Sequence, residues 1–207
     1  MKTLIRVAAA LSALVVATAA LAVDPANFDF FGNVPTVPSS HGHALTMYSV
    51  INNNGVVPTP LPLDFVGSEH TLVIEATLDH RAGVSQFYTP ATVRIYSDAG
   101  PATAHDYAHP ATFQDGTLIL SGTFTGSLVR DQYTQTVGSF AGHIDWTGGT
   151  RLGELGGNTL GWTLHGGLSR MACPLPSGFV ECWDGAIAQS TVATESQTWG
   201  SLKALFK

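Results

Sequence analysis

The chain has 207 residues, 9 of them basic and 15 acidic, for a formal charge of −6, and only 12% of it is charged. Nucleic acid and anionic membrane surfaces are held by clustered Lys and Arg, so this acidic, sparsely charged composition argues against both and favours neutral ligands, cations or protein surfaces. The length suits one domain with a sizeable core.

Lys2 and Arg6 open the chain, an apolar run follows from Val7 to Ala19, and Ala20-Leu21-Ala22 has the small-x-small pattern that a signal peptidase cuts. The run is shorter than the roughly 20 residues of a spanning helix. Residues 1–22 are therefore expected to be an export signal, with a mature chain that starts near Val23 and is secreted to the periplasm or the exterior. Loss of Lys2 and Arg6 takes the formal charge from −6 to −8. The residue directly after the cut is Val23 and not a cysteine, which argues against a lipid anchor.

Residues 23–43 read as an extended N-terminal arm containing Pro and Ser, and residues 44–207 as a single β-rich domain. Leu45 to Ile51 is an irregular strand candidate. Asn52-Asn53-Asn54-Gly55, followed by Pro58, Pro60 and Pro62, makes a surface loop that cannot join an interior ladder. Thr71 to Asp79 then alternates, with Leu72, Ile74, Ala76 and Leu78 opposite Val73, Glu75, Thr77 and Asp79. Thr92 to Ser97 repeats the pattern, setting Val93 and Ile95 against Arg94 and Tyr96, which predicts a cross-strand ion pair between Glu75 and Arg94.

Gln114-Asp115-Gly116 is a turn signal leading into Thr117 to Gly126, where Leu118, Leu120 and Phe124 are expected on one face. Gly138 to Thr147 places Phe140, Ile144 and Trp146 opposite Ser139, His143 and Asp145. Leu160 to Leu168 sets Leu160, Trp162, Leu164 and Leu168 against Thr163 and His165. Near the end, Trp199, Leu202 and Phe206 recur at helical spacing beside Lys203 and Lys207, which predicts a short C-terminal amphipathic helix.

Six or more alternating strands separated by turns imply an all-β fold, a single antiparallel meander closed into a small barrel or, alternatively, folded into a sandwich. Glycines in or beside the strands, including Gly122, Gly142, Gly166 and Gly167, favour the sharper bending of a barrel. An outer-membrane barrel would need aromatic girdles that these strands lack, so no stable membrane insertion is expected. Cys173 and Cys182 flank Pro174-Leu175-Pro176-Ser177-Gly178 and are expected to form a disulfide, a staple stabilising by about 2.7 kcal/mol in the chain-entropy model.

Eight histidines are the main candidates for chemistry. His41 with His43, and His105 with His109, are the pairs whose spacing would present imidazoles to a metal, although Pro110 stops any helix that would align the second pair. His143, Asp145 and His165 share polar strand faces and form the candidate catalytic cluster, with an Asp able to orient a His. No nucleophile motif accompanies them, and cross-strand polar pairing on a solvated face is the favoured reading. Trp146, Arg151, Trp162 and Trp183 are candidate binding residues around a glycine-rich strand end, the tryptophans serving either the core or a sugar-stacking surface.

No cofactor motif is present, so no cofactor is expected. Two function classes follow from these residues. One is a noncatalytic secreted module that binds a small apolar ligand inside the barrel, or a protein or glycan surface at its loops. The other is a secreted hydrolase or metal-dependent enzyme built on His143, Asp145 and His165.

Overall fold

A computed structural model describes residues 26–52, 58–99 and 105–189. Nine strands follow in order: β1 (Asn27–Val34), β2 (Ala44–Ile51), β3 (Ser68–Ala82), β4 (Ser85–Ala99), β5 (Thr117–Phe124), β6 (Leu128–Gln132), β7 (Val137–Gly148), β8 (Trp162–Ser169) and β9 (Glu181–Gln189). All pairings are antiparallel, and β1 closes the sheet by pairing with β9 from Asn27↔Ala188 to Val34↔Glu181. The fold is thus the closed antiparallel barrel expected from the alternation, and the sandwich is set aside.

Nine strands fill eight places in the wall. Along β4, residues Tyr88 to Ser85 pair with Leu128 to Asp131 of β6, while Thr92 to Ser97 pair with Thr123 to Thr117 of β5. Strand β7 meets the same two segments in the same succession. β5 and β6 therefore lie end to end as one interrupted strand, broken at Thr125-Gly126-Ser127.

Two-residue periodicity places one side of every strand inward. Leu72, Ile74, Ala76 and Leu78 of β3, Leu45 and Met47 of β2, and Val93 and Ile95 of β4 are all buried in one continuous core. Large rings fill the lumen. Phe140 stacks on Trp183 with centroids 4.3 Å apart, Phe28 on Trp162 at 6.0 Å, and Trp146 meets Phe28 and Trp162 edge-on at 6.1 and 5.9 Å. Such contacts fix ring positions beyond simple area burial.

Phe140 fits because two glycines make room. Gly166 and Gly185 face each other across β8 and β9, and a Cβ on either would lie within 2.6 Å of the Phe140 ring. The tight β3–β4 hairpin similarly needs Gly83, at φ +62°.

The outer surface has two unlike halves. Over β2 to β4, residues 105–116 fold back, and Tyr107 and Phe113 pack on Tyr48, Val73 and Tyr96 to form a second apolar cluster. Glu69 bonds the backbone amide of His105 at 2.9 Å, and Thr71 donates to the Phe113 carbonyl at 2.7 Å. Apart from Val137, the outward residues of β7 to β9 are mostly polar or small: Ser139, His143 and Asp145, Thr163 and His165, then Asp184 and Ala186.

Several boundaries differ from the sequence expectation. The arm assigned to residues 23–43 contains β1, whose Phe28 and Phe30 are buried in the core. Leu118 does not share a face with Leu120, because a bulge at Ile119 shifts the register between Ile95↔Leu120 and Tyr96↔Leu118. Leu118 packs instead with the outer cluster. Leu160 precedes β8 and is 70% exposed rather than part of the inner row. The expected C-terminal helix around Trp199, Leu202 and Phe206 and the expected export signal lie outside the described residues.

Candidate functional site

One end of the barrel carries a polar cluster that replaces the apolar lining of the rest. Alternation within β6 turns Leu128 and Arg130 inward and Val129 and Asp131 outward, so an arginine enters the lumen where the period calls for an aliphatic residue. Glu181, the first residue of β9, enters from the other side. Arg130 is 1% exposed and Glu181 0%.

Their contact is two-pronged: Arg130 Nε donates to Glu181 Oε1 at 2.9 Å and Nη2 donates to Oε2. Arg130 Nη1 donates to Gln86 Oε1 at 2.8 Å and Nη2 also to Gln132 Oε1. Glu181 is further bonded by the Trp183 indole at 2.8 Å and by Arg170 Nε at 3.2 Å. Tyr88 donates to Gln86 at 3.0 Å, and burial pushes its pKa up to about 12, so it remains a donor at neutral pH. A buried carboxylate is tolerable only with this density of donors.

Above the pair opens a cavity of about 310 Å³ lined by Val37, Arg81, Val84, Gln86, Arg130, Gln132 and Arg170 along with Gly83 and Ser85. Its walls come from the β3–β4 hairpin, the end of β6 and the residue after β8, which the meander brings to one rim. Arg81 donates from Nη2 to the Pro38 carbonyl at 3.2 Å. Asp131 turns to the outer side and accepts from the Ser85 hydroxyl at 2.5 Å.

The expected catalytic cluster takes a different form. His143 and His165 do occupy one outer face of β7 and β8, diagonal to each other through the pairs His143↔Thr163 and Ala141↔His165. Asp145 is committed elsewhere: Oδ1 accepts from the Gly161 amide and Oδ2 from the Thr125 hydroxyl, both at 2.8 Å. These donors hold its carboxyl below the usual range, the Gly161 amide most strongly. Asp145 thus ties the β5–β6 break to the β7–β8 connection and orients neither imidazole.

The other candidates are equally dispersed. His41 bonds the Asp79 carbonyl from the β1–β2 loop, and His43 enters the backbone pairing with Leu78. His105 is held by Glu69 at 2.5 Å, and His109 by Asp106 at 2.6 Å. Among the described residues no group of three His, Cys, Asp or Glu side chains is placed to hold a metal ion. Trp146, Trp162 and Trp183 are buried in the lumen, at 2%, 1% and 0% exposure, and present no stacking surface. Arg151 spans Glu154 with bonds of 2.8 and 2.6 Å, an exposed clasp within its own loop. Cys173 and Cys182 are at disulfide distance, with Cα atoms 6.6 Å apart.

The rim cluster was missed because β6 has only five residues and ends in polar ones, so Arg130 reads as a surface cation. The available signal was the two-residue step from Leu128 to Arg130. Comparison with family models, with curated proteins and with solved structures returns no match, so the functional reading rests on the residues of this chain.

Proposed function

We propose that this chain is an exported, noncatalytic barrel module that binds a partner or ligand at its rims and loops rather than within its lumen. The observation carrying this reading is the lumen itself, occupied along its length by Phe28, Phe30, Phe140, Trp146, Trp162 and Trp183, all at most 2% exposed. Small barrels commonly fill their interior in this way. That favours the surface-partner version over the internal apolar ligand. The hydrolase reading loses support because Asp145 orients no histidine.

The inward rows are apolar, the outer apolar patch over β2 to β4 is covered by residues 105–116, and the outward rows of β7 and β8 are mostly polar, which supports a water-facing wall. Among the described residues, no helix is long and apolar enough to cross a membrane. The cysteine pair agrees with an oxidising compartment.

Native mass spectrometry of protein from an exporting host, before and after organic extraction, tests the reading together with metal analysis of untagged material. The expected result is a metal-free, lipid-free chain with a mass starting near Val23. A stoichiometric metal, or a hydrolase activity abolished in His165→Ala without unfolding, would overturn it. Retention of residues 1–22 in the exported product would refute the export signal.

A further inference from the structure

We propose that the rim cavity bounded by Arg81, Arg130 and Arg170 is a binding site for a small organic carboxylate. This rests on the binding-module reading and names a ligand class for it. All five basic residues among those described are arginines, and three of the five line this one cavity in a chain whose formal charge is −6. One carboxylate, Glu181, lies buried beneath them and a second, Asp131, stands behind Ser85 of the wall, which leaves a net positive charge at the mouth.

The donors are unevenly used. Glu181 takes the Nε–Nη2 edge of Arg130, so that guanidinium is oriented and largely saturated. The hydrogen bonds of the described residues engage only Nε of Arg170 and only Nη2 of Arg81. Among the described residues each of these two arginines thus keeps N–H groups for an incoming acceptor, and the planar fork of a guanidinium matches a carboxylate in the way Arg130 already grips Glu181. Val37 and Val84 supply apolar wall for a short carbon skeleton, and about 310 Å³ is the size of a small-molecule site. Two separate guanidinium groups with unused N–H edges, Arg81 and Arg170, suit a ligand carrying two carboxylates. Since arginine stays charged throughout the accessible pH range, affinity should fall only as the ligand itself takes up protons.

Isothermal titration of the exported chain at low salt, with succinate, acetate and inorganic phosphate as probes, tests the assignment. Succinate is expected to bind, acetate more weakly, and Arg81→Gln and Arg170→Gln each to weaken succinate about tenfold or more. Arg151→Gln, at the far clasp with Glu154, should bind as the parent does. Both test variants leave the Arg130–Glu181 pair intact, and circular dichroism would verify their fold. No heat with succinate, phosphate binding without carboxylate binding, or unchanged affinity in both folded variants would each overturn the site. A metal or hydrolase activity would instead sink the binding-module reading, so the two failures are told apart.

Discussion

Arg130 of β6 and Glu181 of β9 are 51 residues apart in sequence, yet they meet side by side inside the barrel end with almost no solvent contact. Two strands, β7 and β8, separate them in the wall, so the pair spans the lumen rather than running along a ladder. Removing one partner would leave the other charge buried.

Glu181→Leu is accordingly expected to cost about 3–5 kcal/mol, whereas the double replacement Arg130→Met with Glu181→Leu should cost distinctly less. Urea denaturation of the two variants measures both. Equal losses would show that packing, not the charge pair, holds this end.

Gly166 supplies a second prediction. A Cβ there would stand 2.2 Å from the Asp184 carbonyl oxygen and 2.4 Å from Phe140, while one on neighbouring Gly167 meets nothing. Gly166→Ala should destabilise by about 1–3 kcal/mol and Gly167→Ala by less than about 0.5 kcal/mol. Thermal unfolding of the two single variants decides it.

The Cys173–Cys182 bond closes the loop between β8 and β9, with a sequence separation of 9. Reduction, or the Cys173→Ser variant, should lower stability by about 2–3 kcal/mol. Thiol titration of the native chain should find no reactive cysteine. Two free thiols there would contradict the bond.

His70 is 3% exposed, with Nδ1 buried and without a hydrogen-bond partner among the described residues and Nε2 3.3 Å from the Asp64 carbonyl oxygen. Burial holds its pKa below the ordinary imidazole value. The unfolded chain takes up the proton first as pH falls, so the contribution of this group is complete above about pH 6.5 and declines below it towards the folded pKa. His70→Gln should flatten the stability slope below about pH 6.5, by at most about 1.4 kcal/mol per pH unit. Urea midpoints at several pH values, compared between parent and variant, provide the measurement.

The fold was legible wherever a strand kept strict alternation across the barrel wall. Leu72, Ile74, Ala76 and Leu78 mark β3 without ambiguity, as Phe140, Ile144 and Trp146 mark β7. Legibility failed where another constraint competed with the period. In β1, Phe31 and Gly32 interrupt the alternation of Phe28 and Phe30, because Gly32 must admit Met47 and Ser49 of β2. The bulge at Ile119 reverses the phase of Leu118. In β9, Gly185 sits in the inner row so that Phe140 can pass over it. The rim site was least legible of all, since its residues converge only through closure of the barrel, and no local pattern encodes which strands become neighbours.

Closure has a kinetic consequence as well. β1 finds its second neighbour only in β9, along an eight-residue ladder from Asn27↔Ala188 to Val34↔Glu181. Until Glu181 to Gln189 has been delivered, the wall stays an open sheet with two unpaired edges, and Phe28 and Phe30 lack the rings they are meant to meet. Assembly is therefore gated by the last described strand, a high-contact-order step that makes folding slow and leaves the waiting chain prone to edge-to-edge association. A truncation ahead of Glu181 would remove the whole β1–β9 ladder and hold the chain in the aggregation-prone form.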